Sequence, residues 1–174
     1  ETWSPAMEST ASSEITSKPT LILATQNPTN LGACLRSAAA FGIENIVTLK
    51  ECSSPFHPKV IRSSMGATFR LRHFRGPSIQ SLTENSETSF ATRPLITLDL
   101  KGTDLATYRF AKNPLFLIGE EGAGVPLSLK GPNVHRLTIP MSQEDGLKKV
   151  ESLNAAVSCG IALYAWFSGN TATR

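Results

Sequence analysis

A helix with no charged face constrains this chain more than any other feature. Over residues 152–166, Leu153, Ala156, Val157, Gly160, Ile161 and Tyr164 recur at helical spacing. Ala155, Ala162 and Ala165 stand on the opposite side, where a solvated helix carries charge. Such a helix is expected to be buried nearly all round, its small residues letting other backbones come close. Its first turn is the polar exception. Ser152 is placed to act as N-cap, and Asn154 brings an amide to the end where unpaired backbone N–H groups point outward.

The rest of the chain alternates between short strands and helices. Residues 21–24 read as a strand apolar on both faces, as a central parallel strand is. Asn27-Pro28 then marks a turn, Thr29 or Asn30 offers a cap, and Leu31, Cys34, Leu35, Ala38 and Ala39 form a stripe that Gly42 stops, predicting a helix over 31–41. A strand at 45–49 completes a βαβ unit. Farther on, the pattern predicts a short helix at 57–65, a polar surface helix at 79–89, and strands at 69–74, 95–100, 115–118 and 137–140. Alternation of this kind points to an α/β fold, a parallel sheet flanked by helices. Residues 1–18, dense in Ser and Thr, read as a flexible lead to one domain over 19–170.

Composition narrows the classes further. The chain has 174 residues, 40% of them apolar, which suffices for one ordinary core. A formal charge of +3 permits a nucleic-acid partner without requiring one. Cys34, Cys52 and Cys159 are odd in number and lack CxxC spacing, so neither a disulfide framework nor a metal site is expected. A reducing compartment follows, cytoplasmic or organellar (mitochondrion or chloroplast), not secreted. No apolar run has the length to span a bilayer, and no signal peptide opens the sequence, so no membrane association is expected. The missing initial Met suggests a trimmed chain, and Glu1, Glu8 and Glu14 argue against an intact transit peptide.

Three segments place polar residues and glycines at the ends of strands, where open α/β sheets bind ligands: 30–36, 119–124 and 139–154. The second, G-E-E-G-A-G-V-P, does not supply a dinucleotide fingerprint. A motif from Gly122 needs glycine where Leu127 stands, and Pro126 falls where the helix should run. A nucleotide-dependent oxidoreductase is disfavoured on those grounds.

N-x-G-x-x-x-R-x-A-x-x-F-G at 30–42, F-L-I-G-E-E-G-A-G-V at 116–125, and I-P-M followed by S-L-N-x-x-V-S within 139–158 resemble the three ordered motifs of the SpoU/TrmH family. These are S-adenosylmethionine-dependent RNA ribose 2'-O-methyltransferases of the SPOUT class. S-S-M-G-A-T-F-R-L at 63–71 is similar to a further family segment, and the resemblance spans about residues 20–167. It implies a C-terminal deep trefoil knot, a homodimer, S-adenosyl-L-methionine as cofactor, and tRNA or rRNA as substrate. Leu98, Gly119, Ile139, Met141, Ser152 and Leu153 would hold the cofactor, largely through backbone groups. The loop between Met141 and Ser152 is longer than in compact family members, and residues 1–19 are not expected to form the RNA-binding domain that many relatives carry, so RNA affinity would come from the domain's own surface or from a part of the protein outside this chain.

The resemblance also implies a catalytic set of Asn30, Arg36, Glu121, Ser152 and Asn154. On a helix, Arg36 leans back over Gly32 toward Asn30. Family proposals make this Arg a general base, but a guanidinium hardly ever yields its proton, so charge stabilisation of a developing alkoxide is the reading adopted here. Each residue has a plainer reading as well: helix caps for Asn30, Ser152 and Asn154, a surface cation for Arg36, and a solvated carboxylate for Glu121. Lys59, Arg62, Arg70, Arg72 and Arg75, with His73 among them, would form the RNA-contacting surface, against the alternative of a merely solvated face. A non-catalytic RNA- or ribosome-binding relative that retains the fold is the competing function.

Overall fold

In the computed structural model, residues 18–84, 93–120, 122, 124–142 and 150–171 are described. Residues 1–17 of the expected lead, Glu121, most of the loop before Ser152 and the far end of the helix expected over 79–89 lie outside them.

Strand β1, Thr20–Leu23, is buried at every position, and its alternation divides the interior into two layers. Leu21 and Leu23 face a cluster that includes Leu31, Leu35 and Ala38, whereas Ile22 faces Leu82, Leu115 and Leu129 on the other side. Helix α1, Pro28–Ala40, begins three residues before the expected start. Asn27 is its cap, its side chain accepting from the Thr29 and Asn30 amides, and Pro28 occupies the first turn, where a missing N–H costs nothing. Neither Thr29 nor Asn30 caps it, which leaves the Asn30 side chain for other work.

Strand β2, Asn45–Thr48, leads to α2, Pro58–Ser63. Gly32 lets α2 lie against α1: a Cβ there would overlap the Ser63 hydroxyl and come within 2.7 Å of the Val60 carbonyl oxygen. The bare glycine therefore serves helix packing more than clearance for Arg36. Helix α2 ends in a Schellman turn, with Gly66 N–H on Ile61 O and Met65 N–H on Arg62 O, and Met65 at φ 52° in the left-handed position usually given to glycine. That turn displaces the next strand. The run expected as a strand over 69–74 opens with a 3-10 turn, Ala67–Arg70, and β3 is Arg72–Arg75.

After α3, Ile79–Glu84, strand β4 runs Leu95–Asp104, longer than expected because it bulges. Leu98 and Thr103 both pair with Leu137, so the residues between them leave the ladder. Strand β5, Leu115–Ile118, is fully buried, and β6 is Val134–Thr138 rather than 137–140. Pairing of β6 with β4 from Val134 onward sets its register, and Pro140 has no N–H to extend it. Among the described residues the six strands form one parallel sheet, ordered β3-β2-β1-β5-β4-β6.

Helix α4, Ala155–Thr171, packs on α1. Within this chain the helix is not buried all round, contrary to what its composition leads one to expect. Cys159, Ala162, Leu163 and Trp166 are buried, but Val157, Ile161, Tyr164 and Phe167 are 51%, 36%, 59% and 39% exposed. One layer covers one face of the helix, and the second face, equally apolar, reaches the surface. The rings of Tyr164 and Phe167 lie 5.9 Å and 5.8 Å from that of Phe41 at the end of α1.

Candidate active site

The polypeptide leaves β5, β4 and β6 at the same edge of the sheet, because all three run parallel. A cavity of about 550 Å³ opens there. Leu98, Gly119, Ile139, Met141, Ser152 and Leu153, the six residues expected to hold a cofactor, all line it. They come from the β4 bulge, the segments just after β5 and β6, and the segment before α4.

Its glycine wall is a tight fold of backbone. Gly124 N–H donates to Glu120 O at 2.9 Å, and Gly122 and Gly124 take φ values of 87° and 67°. A Cβ on Gly119 would overlap the Gly124 carbonyl and reach 2.7 Å from the Val125 nitrogen. The glycines thus close a compact loop, which explains why their order departs from a phosphate-binding fingerprint. Glu120 fastens this loop to the segment after β1: its Oε1 accepts from Gln26 Nε2 at 3.2 Å. Glu121 is outside the described residues.

The start of α4 differs from expectation in a useful way. Asn154, not Ser152, caps the helix, its Oδ1 accepting from the Ala156 and Val157 amides at 2.9 and 3.3 Å. Since Oδ1 is committed to those donors, Nδ2 is directed outward, and it donates to Asn30 Oδ1 at 3.1 Å. A residue of the cavity wall is thereby joined to the first turn of α1. Asn30 and Arg36 are outside the cavity lining. Arg36 is exposed on α1, and its side chain has no hydrogen bond or ion pair among the described residues. Ser152 is exposed at the cavity mouth, free of the capping duty assigned to it.

Two residues escaped sequence reasoning. Arg136 on β6 pairs with Asp99 in the β4 bulge at 3.1 Å, and each side chain is only 21% exposed. The same guanidinium donates to the Pro126 and Leu129 carbonyls at 2.7 and 3.2 Å, binding the bulge and the segment after the glycine loop into one wall. A cation between His135 and Leu137, at the start of an apolar run, was the available signal.

Lys59, Arg62, Arg70, Arg72 and Arg75 are all exposed, on α2, the 3-10 turn and β3, away from the cavity. His73 does not belong with them. It is half-buried, its Nε2 donates to Thr68 O at 2.8 Å, and burial lowers its pKa below the ordinary 6.5 despite that bond. The hydrogen bond with the neighbouring Cys34 thiol, and after it burial, push the Cys159 thiol well up, so it does not offer a thiolate.

Residues 20–164 match the family model described as the SpoU rRNA Methylase family. The chain is 36% identical over 174 residues to ribosomal RNA small subunit methyltransferase G 2 of Syntrophobacter fumaroxidans, covering all of this chain and 31% of that protein. It is 30% identical over 155 residues to the 23S rRNA (uridine(2479)-2'-O)-methyltransferase of Streptomyces viridochromogenes, covering 84% of this chain and 52% of the relative. A solved structure of the SpoU methyltransferase AviRb from Streptomyces viridochromogenes, in complex with the cofactor AdoMet, superposes with a TM-score of 0.70 at 26% identity, over 88% of this chain and 60% of that one. This chain spans about half the length, or less, of those curated relatives.

Proposed function

Because this chain belongs to the SpoU rRNA methylase family, we propose that it is the catalytic domain of an S-adenosylmethionine-dependent methyltransferase acting on a ribose 2'-hydroxyl in structured tRNA or rRNA. The Asn154–Asn30 bond carries the reading, since it couples the cavity to the helix bearing Arg36. The cavity fits the cofactor. Its volume of about 550 Å³ lies in the range of small-ligand pockets, Leu98, Ile118 and Leu153 give apolar walls for a purine, and the glycines let a ligand approach the backbone. Leu98, Gly119, Ile139, Met141, Ser152 and Leu153 would hold it. Bound there, S-adenosylmethionine supplies an electrophilic methyl group on a sulfonium.

The chain's own residues position the substrate and stabilise charge. Arg36, a permanent cation on the exposed side of α1, binds the phosphate next to the target ribose and favours the alkoxide as the hydroxyl loses its proton to water. Asn30, oriented by Asn154, holds the ribose, and Ser152 completes the polar rim of the cavity. Glu121 is assigned to orient Asn30, Arg36 or the loop itself. Lys59, Arg62, Arg70, Arg72 and Arg75 form the face that meets RNA phosphates. A homodimer through the exposed stripe of α4 and the trefoil knot characteristic of the class are part of this reading. So is a cytoplasmic or organellar location.

Calorimetric titration with S-adenosylmethionine and with NAD, followed by tritium transfer to unmodified tRNA and rRNA and nucleoside digestion, tests it. Saturable binding of the first ligand alone and label in 2'-O-methylnucleosides are expected. RNA binding without transfer, in the presence of the cofactor, would favour the non-catalytic relative. Arg36→Lys should keep measurable transfer while Arg36→Ala loses it. Equal loss in both, with cofactor binding intact, would overturn charge stabilisation as the role of Arg36.

A further inference from the structure

Among the described residues, two apolar patches away from the cavity reach the surface, and charge separates them. The α4 stripe stands on a helix without a charged residue, whereas Phe56, Met65 and Phe69, 52%, 75% and 66% exposed, stand in a segment with no Asp or Glu between Cys52 and Thr83. That segment carries Lys59, Arg62 and Arg70, all exposed. An uncharged stripe suits a protein partner. Exposed rings among unopposed cations suit a polyanion that also offers flat apolar faces.

The rings are held in place before any ligand arrives. Phe56 and Phe69 have centroids 6.2 Å apart with planes inclined by 33°. Buried Thr68, immediately before Phe69, donates its hydroxyl at 3.0 Å to the carbonyl of Pro55, immediately before Phe56. The His73 Nε2 donates to the Thr68 carbonyl at 2.8 Å, and its ring meets Phe56 edge-on at a centroid distance of 5.1 Å. Two ring-bearing turns are therefore pinned together from below while their outer faces stay open. Little conformational entropy is left to lose when a planar group settles on them.

We propose that Phe56 and Phe69 form a stacking platform for an unpaired RNA nucleobase, with Lys59, Arg62 and Arg70 holding the adjoining phosphates. The inference rests on the RNA-methyltransferase reading and deepens it, because it specifies the substrate class. The RNA must present an unpaired nucleotide to this face, as loops and bulges do and uninterrupted duplex does not.

The probes are decauridylate and an abasic ribose-phosphate chain of equal length, titrated fluorimetrically into the wild-type chain, the double variant Phe56→Ala/Phe69→Ala and Phe69→Trp. Wild type should prefer decauridylate by roughly 10-fold, the scale of one stacked base. The double alanine variant should lose that preference while keeping its salt dependence and its S-adenosylmethionine affinity, and Phe69→Trp should retain the preference. An unchanged preference in the double variant overturns the platform and leaves the methyltransferase reading standing. A shift from dimer to monomer with unchanged preference would assign the patch to a protein interface, and likewise overturn it. A wild-type chain that holds S-adenosylmethionine but binds neither probe nor structured RNA overturns the RNA reading and this inference with it.

Discussion

Asn154 caps one helix and bonds to another through a single side chain. Its Oδ1 caps α4 and its Nδ2 reaches Asn30, so the two duties lie on different atoms and can be separated. Asn154→Asp keeps an acceptor, now charged, at the positive end of the helix, and should hold the urea midpoint at or above wild type. It also removes the donor to Asn30, and methyl transfer should fall at least 10-fold, the scale of losing a neutral hydrogen bond. Asn154→Ala should lose transfer and also about 1 kcal/mol of stability. If the Asp variant kept full transfer, the Asn30 link would be incidental to the reaction. The sequence showed that Asn154 was polar at a helix start, but the choice between Ser152 and Asn154 as cap depends on where the first turn closes. No local pattern reports that. Arg136 and Asp99 were less legible still, because their pairing exists only once β4 bulges beside β6.

Helix α4 was the most legible element in composition and the least in burial. Its lack of charge was evident from the sequence, but a single chain offers one layer to pack against, so half of its apolar surface stays open. Val157, Ile161 and Tyr164 follow one stripe, and Tyr164 and Phe167 meet Phe41 of α1, extending it across two helices. Burial of that stripe against a second copy should release about 1.5–3 kcal/mol for each large side chain fully covered. Wild type should therefore sediment as a dimer. Ile161→Asp/Tyr164→Asp should sediment as a monomer, because a carboxylate buried at such an interface has no partner. A monomeric wild type would mean that something else covers the stripe. The strands expected at 69–74 and 137–140 were displaced for a related reason: apolar alternation reports which residues suit a sheet, while turns and neighbouring strands decide where pairing starts. Met65 in a left-handed Schellman position is invisible to any rule that looks for glycine there.

For the molecule as a whole, the α/β class and the three clustered segments were readable because strand ends in a parallel sheet gather loops at one edge. Strand order was not readable, since periodicity carries no information about which strand lies beside which. That placement brings β3 to the sheet edge and half-buried His73 against the Phe56 ring, and global stability acquires a pH dependence from it. Burial lowers the folded-state pKa of His73 below its ordinary value of 6.5, with the Thr68 carbonyl only partly opposing the shift. Between the folded and unfolded values, the unfolded chain binds more protons, so stability rises with pH there. The contribution is complete above 6.5 and declines as pH falls below it toward the folded value. Glu44, lowered by its bond to Lys18, acts only below its own ordinary 4.5, and the pair is too exposed to weigh much. Urea midpoints measured at about pH 7.5 and about pH 5 should therefore fall more for wild type than for His73→Gln, which does not titrate and retains an amide donor for Thr68. Equal falls in the two proteins would place the acid-sensitive group elsewhere and show that the bond to Thr68 offsets the burial of His73.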